Sequence, residues 1–469
     1  MLKTSHVTVI LAALMLPLAN VSRAAVDPKT VREIYERVTP SLVVVQYTYD
    51  GEAGRRDLNT SGIVISDDGM VITTSAITPT QIPDEQMKDF KIIIPGDDEK
   101  EIPAEFLGRD DRSGLSFFKA KDKDAFKWVP IKFEDTPVQI GDDIVSVGLL
   151  YKDAGYKSYV MLSQVSATLR GPVPQVLVTG GGVATVGSPV FNAEGKAIGI
   201  VHAQGSGNPL LNDPREANTM SSTTSPPTLY VPARDFLASL SDPPKAGEPM
   251  KFPQIGVAQL TGLSKDAAEY FGLKGQPAVQ VGDVIPGFPA SKAGLKPGDV
   301  IVKMNGEPLE RGDEPEETPA IMTRKIIRMH VGDKVTFSVL RGKDQPLTDL
   351  TVTLEERPAQ ANKAKRFFAE DLGFTAREMM FEDTYARKLP ANAKGVVVAY
   401  IKQSSSAQNA KLANSDLIVK LNQTPVENLA QFKEDYEAFR KEHPHDAVIM
   451  EVQRGRGDNT QVVRIEPPQ

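Results

Sequence analysis

The chain has 469 residues, 40% hydrophobic and 25% charged, with 54 Lys plus Arg against 61 Asp plus Glu and a formal net charge of −7. At roughly 150 residues per domain the length suits about three cores, and the apolar fraction excludes a disordered chain. An acidic chain without a long basic run excludes nucleic acid as the expected partner, and the lack of cysteine removes disulfides, thiol catalysis and cysteine-held metal sites.

Residues 1–24 read as a secretory leader. Lys3 supplies the positive start, 7–18 are mostly apolar, and Ser22-Arg23-Ala24 ends in a small-x-small cleavage pattern. The apolar run is shorter than the ~20 residues a bilayer span needs, so the mature chain is expected to begin after Ala24 with no membrane span. Losing Lys3 and Arg23 takes the net charge from −7 to −9. This export signal points to the bacterial periplasm, with the extracellular medium as the alternative.

Asp27-Pro28 opens a short helix with Val31, Ile34 and Val38 on one face, and Pro40 ends it. From Ser41 to about Leu240, β-rich runs fall at 42–49, 62–65, 71–74, 91–94, 144–150, 160–166, 175–178, 189–191 and 197–201. Gly-, Asp- and Pro-rich turns separate them, which argues an antiparallel barrel or sandwich. The polar segment 204–228 reads as an exposed loop, and 241–253, with four prolines, as a linker.

Beyond the linker the chain repeats itself. Residues 293–309 align with 410–426 at an offset of 117, and the same offset places Gly256-Val257 on Gly373-Phe374. Each copy also carries a helix, with Ile321, Lys325, Ile326 and Met329 in one and Leu429, Phe432, Tyr436 and Phe439 in the other. Asn428 and Gln431 are spaced as a capping box for the latter. The stretch from Pro286 to Ile301, with its Ala293-Gly294-Leu295-Lys296-Pro297-Gly298-Asp299 core, resembles a PDZ domain of the bacterial kind. A PDZ domain binds an extended peptide by strand addition, with loop amides holding the terminal carboxylate. The resemblance implies a carboxylate loop at Gln254, Ile255, Gly256 and Val257, faced by Ile321, Lys325 and Met329. In the second copy it implies Asp371, Leu372, Gly373 and Phe374. Lys411, Ser415 and Gln423 there replace Gly294, Gly298 and Gly306, so the second copy is expected to be the more structural one.

An exported β domain followed by two such modules resembles the HtrA/Do family of periplasmic serine proteases. A Ser–His–Asp mechanism needs nucleophile, base and orienting acid within hydrogen-bond reach of one another. Aligning the family's three motifs puts Ala76 at the His position, in Gly69-Met-Val-Ile-Thr-Thr-Ser-Ala, and Gly114 at the Asp position, in Asp111-Arg-Ser-Gly-Leu. In Ala184-Thr-Val-Gly-Ser-Pro-Val-Phe the alignment lands Val186 on the nucleophile and Ala184 on a glycine that shapes the oxyanion hole. Ser188 is read as a turn residue, His202 as a pocket-lining residue, and His443 and His445 as part of an exposed turn.

These readings predict a mainly β chain: a chymotrypsin-like double β-barrel followed by two α+β PDZ domains. The boundaries are 27–240 for the trypsin-like domain, 241–253 for the linker, 254–357 for the first PDZ domain and 366–467 for the second. The expected function is that of an HtrA-like pseudoprotease, chaperone-like or scaffolding, which needs no cofactor and no metal. Its expected partners are C-terminal or unfolded peptide segments of other proteins. The resemblance also implies a trimer-based homo-oligomer, and a hetero-oligomer with an active paralogue is the other assembly expected. The alternatives are a serine endopeptidase with displaced catalytic residues and a regulatory subunit of an active protease.

Overall fold

The computed structural model describes residues 26–202 and 228–468, except 53, 80–81, 97–98, 171–172, 249, 313, 344, 391 and 456–458. The leader expected at 1–24 and the loop expected at 204–228, Thr228 apart, lie outside the described residues. No helix among the described residues is long and apolar enough to cross a membrane.

Helix α1 (Pro28–Val38) buries Ile34 and Val38, as its periodicity predicts, and a 3-10 turn through Pro40 follows it. Asp27 stands at its N-cap without a side-chain bond, so the start rests on Pro28 and the Val31 amide donating to the Asp27 carbonyl. Six strands then close a first barrel: β1 (Leu42–Gly51), β2 (Gly54–Val64), β3 (Met70–Thr74), β4 (Met87–Ile94), β5 (Lys100–Asp110) and β6 (Leu115–Ala120). Six more close a second: β7 (Asp143–Leu149), β8 (Ser158–Leu169), β9 (Gln175–Gly180), β10 (Pro189–Asn192), β11 (Ala197–Ile200) and β12 (Leu229–Pro232). Strand β5 escapes the hydrophobic pattern because Lys100, Glu101, Pro103 and Glu105 face water while Ile102 and Ala104 turn inward. Each barrel has its own apolar filling, around Val43, Val71 and Phe118 in one and Val165, Val190 and Tyr230 in the other. A third cluster, including Ile34, Val44, Ile72, Phe117, Val147, Phe191 and Phe236, lies between them and takes in α1.

After α2 (Leu237–Ser241), strand β13 (Pro253–Gln254) begins the first module. It continues with β14 (Val257–Gly262), α3 (Lys265–Tyr270), β15 (Val279–Val284), α4 (Pro289–Lys292), β16 (Val300–Met304), β17 (Glu307–Pro308), α5 (Thr318–Ile327), β18 (Lys334–Leu340), β19 (Thr348–Thr353) and β20 (Glu355–Glu356). Its main sheet runs β14-β15-β16-β18-β19, while β13 pairs with β20 in a separate ribbon. The second module comprises β21 (Arg366–Ala369), β22 (Phe374–Glu378), α6 (Phe381–Arg387), β23 (Val396–Ile401), α7 (Ser406–Asn409), β24 (Leu417–Leu421), β25 (Thr424–Pro425), α8 (Leu429–Glu442), β26 (Val448–Gln453) and β27 (Thr460–Ile465). Its sheet order is β21-β22-β23-β24-β26-β27.

The repeat is visible in the elements themselves. Val257 and Phe374, Val279 and Val396, Pro289 and Ser406, Val300 and Leu417, and Glu307 and Thr424 all start matching elements 117 positions apart. Asn428 caps α8 by accepting the Gln431 amide at 3.0 Å. Gln431 returns its side-chain oxygen to the Glu427 amide, one residue earlier than a capping box requires.

Candidate functional site

The three positions expected to carry catalysis come from both barrels and sit close together. Ala76 lies exposed in the 3-10 turn Ser75–Ile77 that follows β3. The Ser75 amide donates to the Gly114 carbonyl at 2.8 Å, tying this turn to the loop before β6. From the second barrel, the 185–188 turn reaches the same place, with the Thr185 hydroxyl 3.3 Å from that of Ser61 on β2. A side chain at Gly187 would strike the Ser61 carbonyl and stand 3.0 Å from the Thr73 hydroxyl, so only glycine, at φ +88°, lets the turn come this near.

The chemistry of this junction is that of hydroxyls and spent donors. Val186 packs on the filling of the second barrel. Ser188 is wholly buried, and its hydroxyl lies 3.1 Å from that of Thr185, which also donates to the Leu149 carbonyl at 3.3 Å. Burial raises the Tyr159 phenol above its ordinary value, opposed by its hydrogen bonding with Thr185. The Ala184 amide, at the position expected to shape an oxyanion hole, donates inward to the Ser146 hydroxyl at 2.8 Å, and Ala184 is completely buried. Ser146 lies inside a β7 run that shows no special spacing, so the sequence reading had no way to single it out.

The nearby acids are likewise engaged. Asp110 is buried and accepts from the Arg112 amide and guanidinium at 2.9 Å each. Asp111 accepts from Arg357 of the first module at 2.7 Å. His202 is half-buried beside Gly114: a Cβ at Gly114 would sit 2.9 Å from its Nε2, so any side chain there would contend with the imidazole. At the far end of the chain, His443 pairs with Asp446 at 3.1 Å in an exposed turn.

The second candidate site is an open groove of about 570 Å³ on the first module. Val257, Ala258 and Leu260 of β14 form one wall, Pro319, Ala320, Thr323, Arg324 and Ile327 of α5 the other, and Asp111 of the first barrel contributes to its lining. In the sheet, β14 pairs with β15 along one edge. Of the expected loop, Ile255 and Gly256 use their carbonyls to accept the Ala290 and Ile285 amides at 2.7 and 2.9 Å. Gly256 holds φ +76° where a side chain would collide with Phe288. Gln254 pairs with Glu355 in the β13–β20 ribbon.

The helix wall differs from the expected one. The groove-facing positions are separated by one, three or four residues from Pro319 to Ile327, whereas Ile321 and Lys325 project from the opposite side of α5 and Met329 lies past its end. Ile321 is buried, Lys325 pairs with Glu310 at 2.9 Å, and Met329 packs against the module core. The helix begins at Thr318 directly after a 3-10 turn, Pro315–Glu317. Arg324 and Arg328 both pair with the buried Asp235 of the first domain, holding the groove helix against it.

In the second module, Leu372 and Phe374 are completely buried, and the Gly373 amide donates to the Ala369 carbonyl at 2.8 Å. The expected carboxylate loop is there the turn of the β21–β22 hairpin, in which Ala369 faces Phe374.

Comparison with known proteins agrees with this architecture. Residues 60–200 match the trypsin-like peptidase domain family and residues 253–353 the PDZ domain family. A protein of Rhizobium meliloti (strain 1021) named "Probable periplasmic serine endoprotease DegP-like" is 26% identical over 375 residues, covering 78% of this chain and 68% of its own length. One of the same name from Brucella suis biovar 1 (strain 1330) is 26% identical over 402 residues, covering 84% of this chain and 71% of its own. Among solved structures, the HtrA-type protease AlgW with tripeptide superposes with a TM-score of 0.51 at 20% identity, over 70% of this chain and 98% of that one, a likeness of fold.

Proposed function

We propose that this HtrA/DegP-like chain, a trypsin-like peptidase domain followed by a PDZ domain, acts by binding peptides and not by hydrolysing them. The observation that carries the reading is the state of the 184–188 turn. Its aligned nucleophile is Val186, and the amide that should receive an oxyanion is already bonded to Ser146. Ala76 and Gly114 supply neither a proton acceptor nor an orienting acid. Loss of a triad costs a serine protease about 10⁶-fold in turnover, and an occupied oxyanion donor removes part of what remains.

The binding role falls to the groove between β14 and α5. A peptide laid antiparallel along β14 would extend the sheet and place its carboxylate at 254–257, with apolar side chains against Pro319, Ala320 and Ile327. The periplasm is the compartment named for the relatives, and it fits the expected leader. There the chain would hold C-terminal or unfolded segments of other proteins, chaperone-like or as a scaffold.

The test combines chemistry and titration on the mature chain. A fluorophosphonate probe should leave it unlabelled, and casein should remain intact over hours. Labelling and cleavage that persist through re-purification and vanish in Ser188→Ala would establish the endopeptidase reading instead. Free-carboxylate peptides should bind while their amidated forms do not, and Ile327→Asp should weaken binding by on the order of tenfold or more, because a buried carboxylate would face the ligand's apolar side chain. Equal binding of amidated peptides would overturn carboxylate capture.

A further inference from the structure

We infer that the second module already holds its ligand, and that the ligand is the chain's own segment 366–371. Strand β21 lies antiparallel on the edge of β22 away from β23, with Arg366 opposite Arg377, Phe367 opposite Ala376 and Ala369 opposite Phe374. A peptide added to this edge would run in that direction, ending at the loop before β22, and β21 runs into that loop. Its side chains occupy the side of the module on which α8 lies. The Phe367 ring packs against Phe432 and Tyr436 with centroids 6.2 and 5.6 Å away, under the Lys433 ammonium at 5.9 Å.

The end of the segment behaves as a ligand's end does. Asp371 presents a carboxylate whose two oxygens accept from the Tyr436 hydroxyl at 2.6 Å and from Arg440 Nε at 2.7 Å. The Gly373 amide, which a terminal carboxylate would seek, is taken by the Ala369 carbonyl. What remains of the cleft, about 480 Å³, is lined by 367–371 itself together with Tyr436, Glu437 and Arg440. In the first module the corresponding upstream strand β13 pairs with β20 and leaves β14 uncovered on that side. The two residues 372–373 that tether the segment to β22 give it an effective concentration in the millimolar range or above, which a dilute free peptide does not match.

The inference borrows from the proposed function only the direction in which a peptide lies, and its test reads a different part of the chain. The probe is the hexapeptide Arg-Phe-Phe-Ala-Glu-Asp with a free carboxylate, and the readout is amide hydrogen exchange over 366–378 in the full mature protein. In the wild type, the Phe367 and Ala369 amides, the two that point at β22, should exchange slowly, and added hexapeptide should change nothing. In Phe367→Ala/Asp371→Asn, which removes both anchors, the hexapeptide should slow exchange at the Phe374 and Ala376 amides by on the order of tenfold. A disulfide made by adding Phe368→Cys and Thr375→Cys to that variant, clean to form in a cysteine-free chain, should abolish the gain.

Unprotected Phe367 and Ala369 amides in the wild type, or hexapeptide protection of Phe374 and Ala376 there, would overturn the inference, and both are read without any variant. Failure of the natively folded double variant to gain protection would overturn it too. Absence of peptide protection at 257–262 would count against the first-module reading alone.

Discussion

The two C-terminal modules share the order of five sheet strands, a 117-residue register from β14 to β17, and an aspartate–arginine pair in which the arginine directly follows the matching strand, Asp299–Arg341 at 3.1 Å and Asp416–Arg454 at 2.8 Å. They differ at the edge where a peptide would add. In the first, β14 borders an open groove; in the second, β22 is paired on both sides and the groove helix is faced by Phe367. A further difference sits inside the sheet. At the register of Leu260, which lines the first groove, the second module has Arg377, turned inward onto Asp383 at 2.6 and 2.8 Å with both residues buried. A shared motif therefore conserves the scaffold around a binding edge without conserving access to it, because access depends on where the preceding few residues pair.

The strongest way to break the comparison is Arg377→Ala. Asp383 would lose its bidentate partner inside the module, keeping the Met380 amide at 2.8 Å and Arg387 at 3.5 Å. Removing one member of a buried pair costs about 3–5 kcal/mol. Site-resolved exchange under mild denaturant should then show 366–465 opening while 254–356 stays protected. Equal loss in both modules would mean that they fold as one unit.

Much of this was legible beforehand, for physical reasons that also mark where legibility ends. Turn chemistry and short β-rich runs pointed to an antiparallel barrel or sandwich, and the family resemblance, carried in part by the Gly187-Ser188-Pro189-Val190-Phe191 run, narrowed this to the double barrel. The repeat of 293–309 at 410–426 located the modules, since matching turns and matching core positions both recur in it. Partners chosen by the folded chain were not legible. Nothing in the local sequence ties the Ala184 amide to Ser146 or Asp235 to Arg324 and Arg328, contacts made across 38, 89 and 93 positions. The groove face of α5 differs from the expected one because the apolar positions that helical spacing picks out, Ile321 and Met329, are the ones the module buries. Strand β21 was not read as a strand because four residues carry too little pattern, although Phe367 and Phe368 are apolar signals in hindsight.

Acid sharpens the same contrast. Burial acts to raise the Asp383 carboxyl, but hydrogen bonds from Arg377 and the Met380 amide, with the charges of Arg377 and Arg387, outweigh it and hold the group below the usual carboxylate range. A depressed folded-state value contributes stability that is fully present above the unfolded value, near ~3.9 for Asp, and is lost as pH falls through the folded one. Between pH 7 and pH 3 the melting temperature of the second module should therefore fall more in the wild type than in Asp383→Asn, whose starting value is lower and whose profile lacks this group. Parallel profiles for the two proteins would show that Asp383 carries no pH-dependent stability.

The smallest expected effect concerns backbone strain. Gly294 and Gly298 hold φ of +84° and +90° in the first module, and the second keeps the same left-handed turns with Lys411 at +62° and Ser415 at +66°. A left-handed residue with a Cβ costs roughly 1–2 kcal/mol, while glycine gives back part of that through the greater freedom of its unfolded chain. Lys411→Gly should thus stabilise the second module by about 0.5–1 kcal/mol. The reverse exchange, Gly294→Lys, should destabilise the first by a similar amount, since open space around Gly294 leaves torsion as the only obstacle. Chemical denaturation of the two variants, followed by exchange at 396–421 and 279–304, measures both. A stabilised second module beside a weakened first would mean that the second tolerates strain the first avoids. No change in either would place the cost of these turns below what their torsions imply.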